Sequence, residues 1–133
     1  QALVVPTKLA FPKRSGVGVD VRRLEIIVAV LTRKVGLPLW DYDIFVNATG
    51  GIRVIEPAAD LAIALSIASA FHNKPLVPHS VAIGEVGLLG EIREVPGREK
   101  RGKEAKRIGF TGIITNKEAR TVAEAIKRYI LTK

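Results

Sequence analysis

The sequence predicts an α+β domain with a mixed sheet and packed helices. Short β-branched runs alternate with stretches of helical period, but none of them forms a βαβ unit with a phosphate-binding loop. Hydrophobic residues make up 47% of the 133 residues, which is enough to bury a core without disulfides or a structural metal. Residues 58–71 are apolar around the whole helical circumference, so this segment predicts a central helix that is buried on most sides.

The N-terminal part of the chain is predicted to contain a strand, an exposed loop and an amphipathic helix. Residues 2–5 are apolar and stop at Pro6, which ends a strand. Residues 8–20 contain one proline, two glycines and a basic pair, a composition typical of an exposed loop. Asp20 is a good N-cap for a helix whose apolar residues recur every three or four positions until Gly36 ends it.

Two strands are predicted to lead into the buried helix. Residues 42–48 alternate and are rich in strand-forming residues, and a glycine pair then turns the chain into a second strand over 52–55. Pro57 suits the first turn of a helix because its missing N–H would have no helical partner there. The buried helix is therefore expected to begin at this proline.

The C-terminal part is predicted to contain a hairpin, a charged helix, a short strand and a last helix. The strands are expected over 80–84, 90–95 and 112–115. The charged helix spans 98–108, and its only small or apolar stripe is Gly102, Ala105 and Ile108. Asn116 is the predicted N-cap of the last helix.

The composition excludes several kinds of site. The chain contains no cysteine, which excludes disulfides and thiolate chemistry and is compatible with the cytoplasmic location that we expect. It has two histidines, no P-loop and no dinucleotide fingerprint, so we expect no cofactor in this domain. No apolar run is long enough to cross a membrane, and we expect no membrane partner. The alternative is a metal site built from the carboxylates of Glu56, Asp60, Glu85 and Glu91. Glu56 and Asp60 are better explained as complementing the positive end of the helix dipole.

The start of the sequence suggests a fragment. The chain begins with Gln1 and contains no methionine, so we expect residues 1–133 to be a single domain of a longer protein.

Positive charge is concentrated in the C-terminal third. The net charge is +8, of which residues 91–133 carry +6, and residues 93–107 alone combine seven Lys or Arg with three Glu. Such a concentration predicts phosphate contacts with DNA, although a merely solvated surface is the alternative. No aromatic residue interrupts the basic run, so base stacking is not supported. The predicted DNA-binding residues are Arg93, Arg98, Lys100, Arg101, Lys103, Lys106 and Arg107, with a second candidate patch at Lys13, Arg14, Arg22, Arg23, Arg33 and Lys34.

Four motifs follow one another along the chain and carry a family resemblance. They are GLPL at 36–39, DIFVNATGG at 43–51, EPAADLAIAL at 56–65 and VAIGEVGLLGEIREV at 81–95. This succession resembles the C-terminal domain of the RadA (Sms) family of bacterial DNA repair proteins, a domain that is itself similar to the proteolytic domain of Lon. The resemblance covers essentially the whole chain. It implies a Lon-proteolytic-domain-like fold, also described as ribosomal S5 domain 2-like.

The resemblance also implies that the domain is not an enzyme. Lon-type proteases carry a serine nucleophile at the start of the buried helix and a lysine early in the charged helix. The corresponding positions here are Ala58 and Glu99, with Lys100 one residue away. A methyl group cannot attack a carbonyl, and a carboxylate is not the required amine. An active peptidase with a shifted dyad is the alternative. Its candidate nucleophiles are the exposed Ser15 and Ser80 and the helical Ser66 and Ser69, for which bonding to a backbone carbonyl is the simpler expectation.

The family further implies a parent protein with an N-terminal zinc finger and a RecA-like ATPase, acting as a hexameric branch-migration helicase in recombination. ATP, magnesium and zinc are expected only in those upstream domains, and a RecA-type recombinase is expected to be a partner through the parent chain. The present domain would help to form the homo-oligomeric ring and offer DNA a basic surface; a purely structural oligomerisation module is the remaining alternative. The candidate subunit contacts, or else a satellite core cluster, are Leu37, Leu39 and Trp40.

Overall fold

The computed structural model describes residues 1–131 and contains a three-stranded mixed sheet. Its strands are β1 (Ala2–Pro6), β2 (Arg14–Val17) and β3 (Tyr42–Asn47), with β3 in the centre. β1 runs antiparallel to β3, and β2 runs parallel to it. The predicted mixed sheet is therefore confirmed.

Two short pairs of strands complete the β structure of the described residues. They are β4 (Ser80–Ala82) with β7 (Gly112–Ile114), which are parallel, and β5 (Glu85–Val86) with β6 (Ile92–Arg93), which are antiparallel.

Four α-helices accompany these strands within residues 1–131. They are α1 (Val21–Val30), α2 (Asp60–His72), α3 (Arg98–Arg107) and α4 (Val122–Ile126). α1 and α4 each continue into a π-helical turn, at Leu31–Val35 and Lys127–Leu131 respectively. Short 3-10 turns lie at Leu39–Asp41, Thr49–Gly51 and Pro57–Ala59.

α2 lies at the centre of the hydrophobic core, as its nearly uniform apolar sequence predicts. Leu61, Leu65 and Ile67 are at most 1% exposed. The helix packs against β1 and β3 on one side and against α1 and α4 on others. The end of the preceding 3-10 turn and the first turn of α2 are therefore held in a fixed place relative to the core. This placement positions the candidate site.

Two strand predictions in the N-terminal half are wrong. Part of the predicted loop over 8–20 forms β2, because the central strand β3 offers its second edge and the backbone pairing outweighs the local glycine and proline signal. Residues 52–55 are extended but form no strand ladder. They are connected to the segment that follows β2 by a single bridge between Val19 and Val54, with one hydrogen bond of 2.7 Å from Val54 N to Gly18 O.

Three further details differ from the sequence prediction. The last helix is capped by Thr121, whose hydroxyl accepts a hydrogen bond from Glu124 N, whereas Asn116 lies in the preceding turn. Ile108 is 59% exposed and lies just beyond α3, because that helix rests on the core through Ala105. The expected subunit contacts Leu37 and Leu39 are buried in the main core, so the core alternative is correct for them, and Trp40 alone of the three is exposed.

Gly18 is required by a close backbone approach. Its φ is +74°, and a Cβ added there would lie 2.4 Å from the carbonyl oxygen of Ile52. This contact holds the extended segment 52–55 against the end of β2.

We expect Gly18→Ala to lower the free energy of unfolding by about 2 kcal/mol, because the new methyl group adds a clash to a left-handed backbone. Gly36→Ala is the matched control, since Gly36 also has a positive φ of +85° but faces open space. It should cost about 1 kcal/mol. Urea denaturation of both variants measures the difference, and equal losses would contradict the close approach.

Candidate nucleic-acid interface

A groove lies between the start of α2 and the helix α3. It has a volume of about 960 Å³, and its other walls are residues 52–55 and 81–83. Its aliphatic lining includes Ile55, Ala58, Ile83 and Ala105, while Lys100, Arg101, Lys103 and Arg107 bring positive charge from α3. The groove therefore combines an apolar floor with a basic wall.

Ala58 and Glu99, the positions expected from the family resemblance to match the Lon dyad, line two different cavities. Ala58 is 7% exposed, lines the groove, and accepts a hydrogen bond from Gly84 N at 2.9 Å through its carbonyl oxygen. Lys100 lines the same groove, whereas Glu99 lines a smaller neighbouring cavity on α3. Among the described residues that line the groove, none is a serine, threonine, tyrosine or cysteine. An amine is thus present without a hydroxyl or thiol nucleophile beside it.

The alternative serine nucleophiles are engaged elsewhere. Ser66, Ser69 and Ser80 each donate a hydroxyl hydrogen bond to a backbone carbonyl, at distances of 2.8, 2.6 and 2.6 Å. The bond of Ser66 goes to Ala62 one turn earlier in α2, as predicted, but the bond of Ser69 goes forward to Lys74. Ser15 lies in β2 beside a different cavity.

Asp60, which begins α2, is almost fully buried and is held by two partners. It is 1% exposed, and its Oδ1 accepts a hydrogen bond from Arg23 Nε at 2.9 Å while its Oδ2 accepts Arg23 Nη2 and Val86 N, the latter at 3.1 Å. The hydrogen bond with Asp60 raises the pKa of the Arg23 guanidinium further. Asp60 therefore links α1, α2 and β5, and Arg23 is engaged inside the protein.

Four arginines of the predicted DNA-binding set form ion pairs on or near α3. The pairs are Arg93 with Glu91, Arg98 with Glu94, Arg101 with Glu56 and Arg107 with Glu104. Arg98 also donates to Asn116 Oδ1 at 3.1 Å. These pairs lower the charge that the arginines offer to a ligand.

Three lysines on α3 remain exposed and form no ion pair within residues 1–131. They are Lys100, Lys103 and Lys106, which we call the basic face of α3. Their spacing of three residues places neighbouring members about one turn apart on the helix. The basic face is the strongest feature for phosphate contacts that the structure brings together.

The second predicted patch is reduced in size. Arg14 donates hydrogen bonds to the carbonyl oxygens of Tyr42 and Leu39, the latter at 3.0 Å, and burial lowers the pKa of its guanidinium. With Arg23 also engaged, the exposed cations that remain are Lys13, Arg22, Arg33 and Lys34.

The carboxylates proposed as an alternative metal cage do not form one. No group of three or more His, Cys, Asp or Glu side chains in the described residues could hold a metal ion. Across residues 1–131, none of the helices has the length and apolar character that a membrane crossing requires.

Comparison with known proteins identifies the family of the chain. The family model described as ChlI, subunit ChlI of Mg-chelatase, matches residues 20–119, about three quarters of the sequence. The chain belongs to the ChlI family. Its match spans the buried helix, the groove and the basic face of α3.

The chain is also similar to curated proteins named "DNA repair protein RadA". The relative from Rickettsia bellii is 50% identical over 117 residues, which cover 88% of this chain and 26% of that protein. The relative from Bacillus subtilis is 46% identical over 114 residues, and that from Streptococcus pneumoniae is 44% identical over 121 residues. These alignments cover 86% and 91% of this chain but 25% and 29% of the relatives. The predicted kinship with RadA proteins is confirmed, and the chain spans about a quarter of their length.

Sequence reasoning missed two long-range ion pairs at the site. Arg23 with Asp60 and Arg101 with Glu56 join residues 37 and 45 positions apart. The buried aspartate in an otherwise apolar helix was the one available signal for the first pair, because a buried charge needs a partner. No local pattern indicates the second.

Proposed function

We propose that this domain is a non-catalytic, DNA-binding part of a RadA-type DNA repair protein. The observation that carries the proposal is the basic face of α3, where Lys100, Lys103 and Lys106 are exposed and form no ion pair with any described residue. Lysine contacts with phosphates supply affinity without sequence preference. The similarity to proteins named for DNA repair supports DNA as the anionic partner.

The Lon-like fold and the loss of its dyad belong to the same proposal. Ala58 provides no nucleophile, and none of the described residues that line the groove with Ala58 and Lys100 carries a hydroxyl group. A dyad of the Lon type needs a hydroxyl nucleophile that the neighbouring lysine amine activates. The domain therefore acts as a binding and scaffold module and not as a peptidase.

The proposal extends to the longer protein of which this domain is a part. As the family resemblance implies, it carries a zinc finger and a RecA-like ATPase that use zinc, ATP and magnesium, works in the cytoplasm, and cooperates with a RecA-type recombinase. This domain contributes to a hexameric ring through a head-to-tail interface that closes on itself. In the ring, the basic face of α3 helps to hold the DNA on which the branch-migration helicase acts.

Fluorescence anisotropy with a labelled duplex tests DNA binding directly. We expect the chain to bind at low salt and to lose affinity steeply between about 50 and 200 mM salt, because phosphate contacts release counterions. Lys74→Glu changes the charge just beyond the C-terminal end of α2, away from α3. This control variant should leave affinity nearly unchanged. Absence of binding at low salt, with a hexamer in sedimentation, would favour the purely structural oligomerisation module instead.

A peptidase assay separates the proposal from its enzymatic rival. We expect no hydrolysis of labelled casein or of short peptides, because the described residues that line the groove with Lys100 include no hydroxyl or thiol nucleophile. Ser15→Ala is the control for a shifted dyad. Hydrolysis by the purified chain that disappears in this variant would contradict the non-catalytic assignment.

A further inference from the structure

The groove beside Ala58 carries features that DNA binding does not use. Its volume of about 960 Å³ falls within the range of ligand pockets, about 300–1,000 Å³. Two extended backbone segments, residues 52–55 and residues 81–83, form two of its walls.

The first wall is an unpaired strand edge. Val54 N donates to Gly18 O, so the peptide groups of Val54 face β2. Successive peptide groups of an extended chain point in opposite directions, so those of Arg53 and Ile55 face away from β2. Within residues 1–131, neither Arg53 nor Ile55 forms a hydrogen bond through its N–H or carbonyl oxygen. Ile55 is also 80% exposed.

The second wall is the outer edge of β4. Its partner strand is β7, and the described residues supply no strand on its other side. Gly112 N donates to His79 O, and Ile83 N donates to Ile114 O. The peptide N–H and carbonyl groups of the odd-numbered residues in this wall therefore face β7. The peptide groups of Ala82 therefore point away from β7, and residues 81–83 line the groove.

The charges around the groove select an acidic occupant. Arg53, Lys100 and Lys103 line the groove and form no ion pair within the described part of the chain. The two carboxylates that line it, Glu56 and Glu104, are already paired with arginines. A ligand with carboxylates directed at α3 would thus meet cations without a competing acid.

The floor distinguishes a peptide from a nucleic-acid strand. It offers aliphatic side chains, and Phe110 is the one aromatic ring among its described lining residues. Binding of single strands relies on stacking of successive bases on aromatic rings. Unpaired backbone edges and aliphatic pockets are instead what an extended peptide uses when it adds to a sheet.

We propose that this groove binds an extended acidic segment of a partner protein by β-strand addition. The segment pairs with Arg53 and Ile55, places alternate aliphatic side chains on the floor, and directs glutamates or aspartates toward Lys100 and Lys103. A domain with a methyl group at position 58 holds such a segment without cutting it. This recruiting role goes beyond the proposed DNA binding but shares Lys100 and Lys103 with it, so the two ligands compete for these side chains.

The test uses a fluorescent peptide of about eight residues with alternating valine and glutamate, titrated with the chain. Ile55→Pro removes an N–H that has no hydrogen-bond partner among the described residues. We expect binding to become about tenfold weaker, because one hydrogen bond to the peptide is lost. Ile55→Val keeps the N–H and should bind like the original chain. A peptide with lysine in place of glutamate should not bind.

A second measurement changes the peptide instead of the protein, and it applies even if Ile55→Pro fails to fold. A valine–glutamate peptide that is N-methylated at alternate residues cannot pair with a strand edge and should lose binding to the unaltered chain. Equal binding of the methylated and unmethylated peptides would overturn the proposal. So would the absence of peptide binding.

Discussion

Asp60→Ala is expected to destabilise the domain by about 3 kcal/mol. The substitution removes the acceptor of Val86 N and leaves the Arg23 guanidinium without its partner beside the core. Breaking a buried ion pair costs about 3–5 kcal/mol. We expect the lower end because the Arg23 side chain is 31% exposed and water can replace part of the lost interaction.

Urea denaturation measures this loss as a lower midpoint with an unchanged slope. Asp60→Asn keeps an acceptor for Val86 N but removes the charge, and should cost about half as much. Glu104→Ala is the exposed control, because it breaks the surface pair with Arg107, and should shift the midpoint very little. A midpoint for Asp60→Ala equal to that of Glu104→Ala would show that the buried pair does not hold the start of α2.

Reversal of Lys103 and Lys106 to glutamate is expected to weaken duplex binding by about 30-fold at low salt. Each reversal removes an attraction to a phosphate and adds a repulsion. Neither lysine forms an ion pair within the described residues, so the fold should lose little stability. Anisotropy titrations at one fixed salt concentration give the ratio.

The matched control for this pair is the double reversal of Lys8 and Lys74. Both side chains are exposed and form no ion pair in the described chain, and they lie outside α3. The control changes the net charge by the same amount, so it separates a local contact from the overall field of the protein. Equal weakening by the two double variants would contradict a specific role of α3.

The sequence predicted the parts of the fold whose cause is local. The uniform apolar pattern of 58–71, the cap at Asp20 and the stop at Gly36 are each determined by a few neighbouring residues, and α1 and α2 occur where these signals place them. β2 was missed because its pairing with β3 is decided by a neighbour that is about 30 residues away. Local glycine content cannot report such an edge.

The candidate site was predictable in composition but not in arrangement. The charge count placed the basic region on α3, yet it could not separate the arginines that form ion pairs from the three lysines that form none with the described residues. Arg101 faces Glu56 from a different part of the chain, and Arg14 turns inward to backbone carbonyls. These outcomes depend on tertiary contacts. The groove itself is assembled from four separate segments and has no signature in any one of them.

The salt dependence of duplex affinity tests the central claim most directly. Replacing Lys100, Lys103 and Lys106 with alanine should reduce the slope of log affinity against log salt by about 2.7, since each phosphate contact contributes about 0.9. If the basic face of α3 contacts DNA phosphates, the triple variant has this shallower slope and an unchanged unfolding midpoint. A slope equal to that of the original chain would show that the basic face of α3 does not contact DNA.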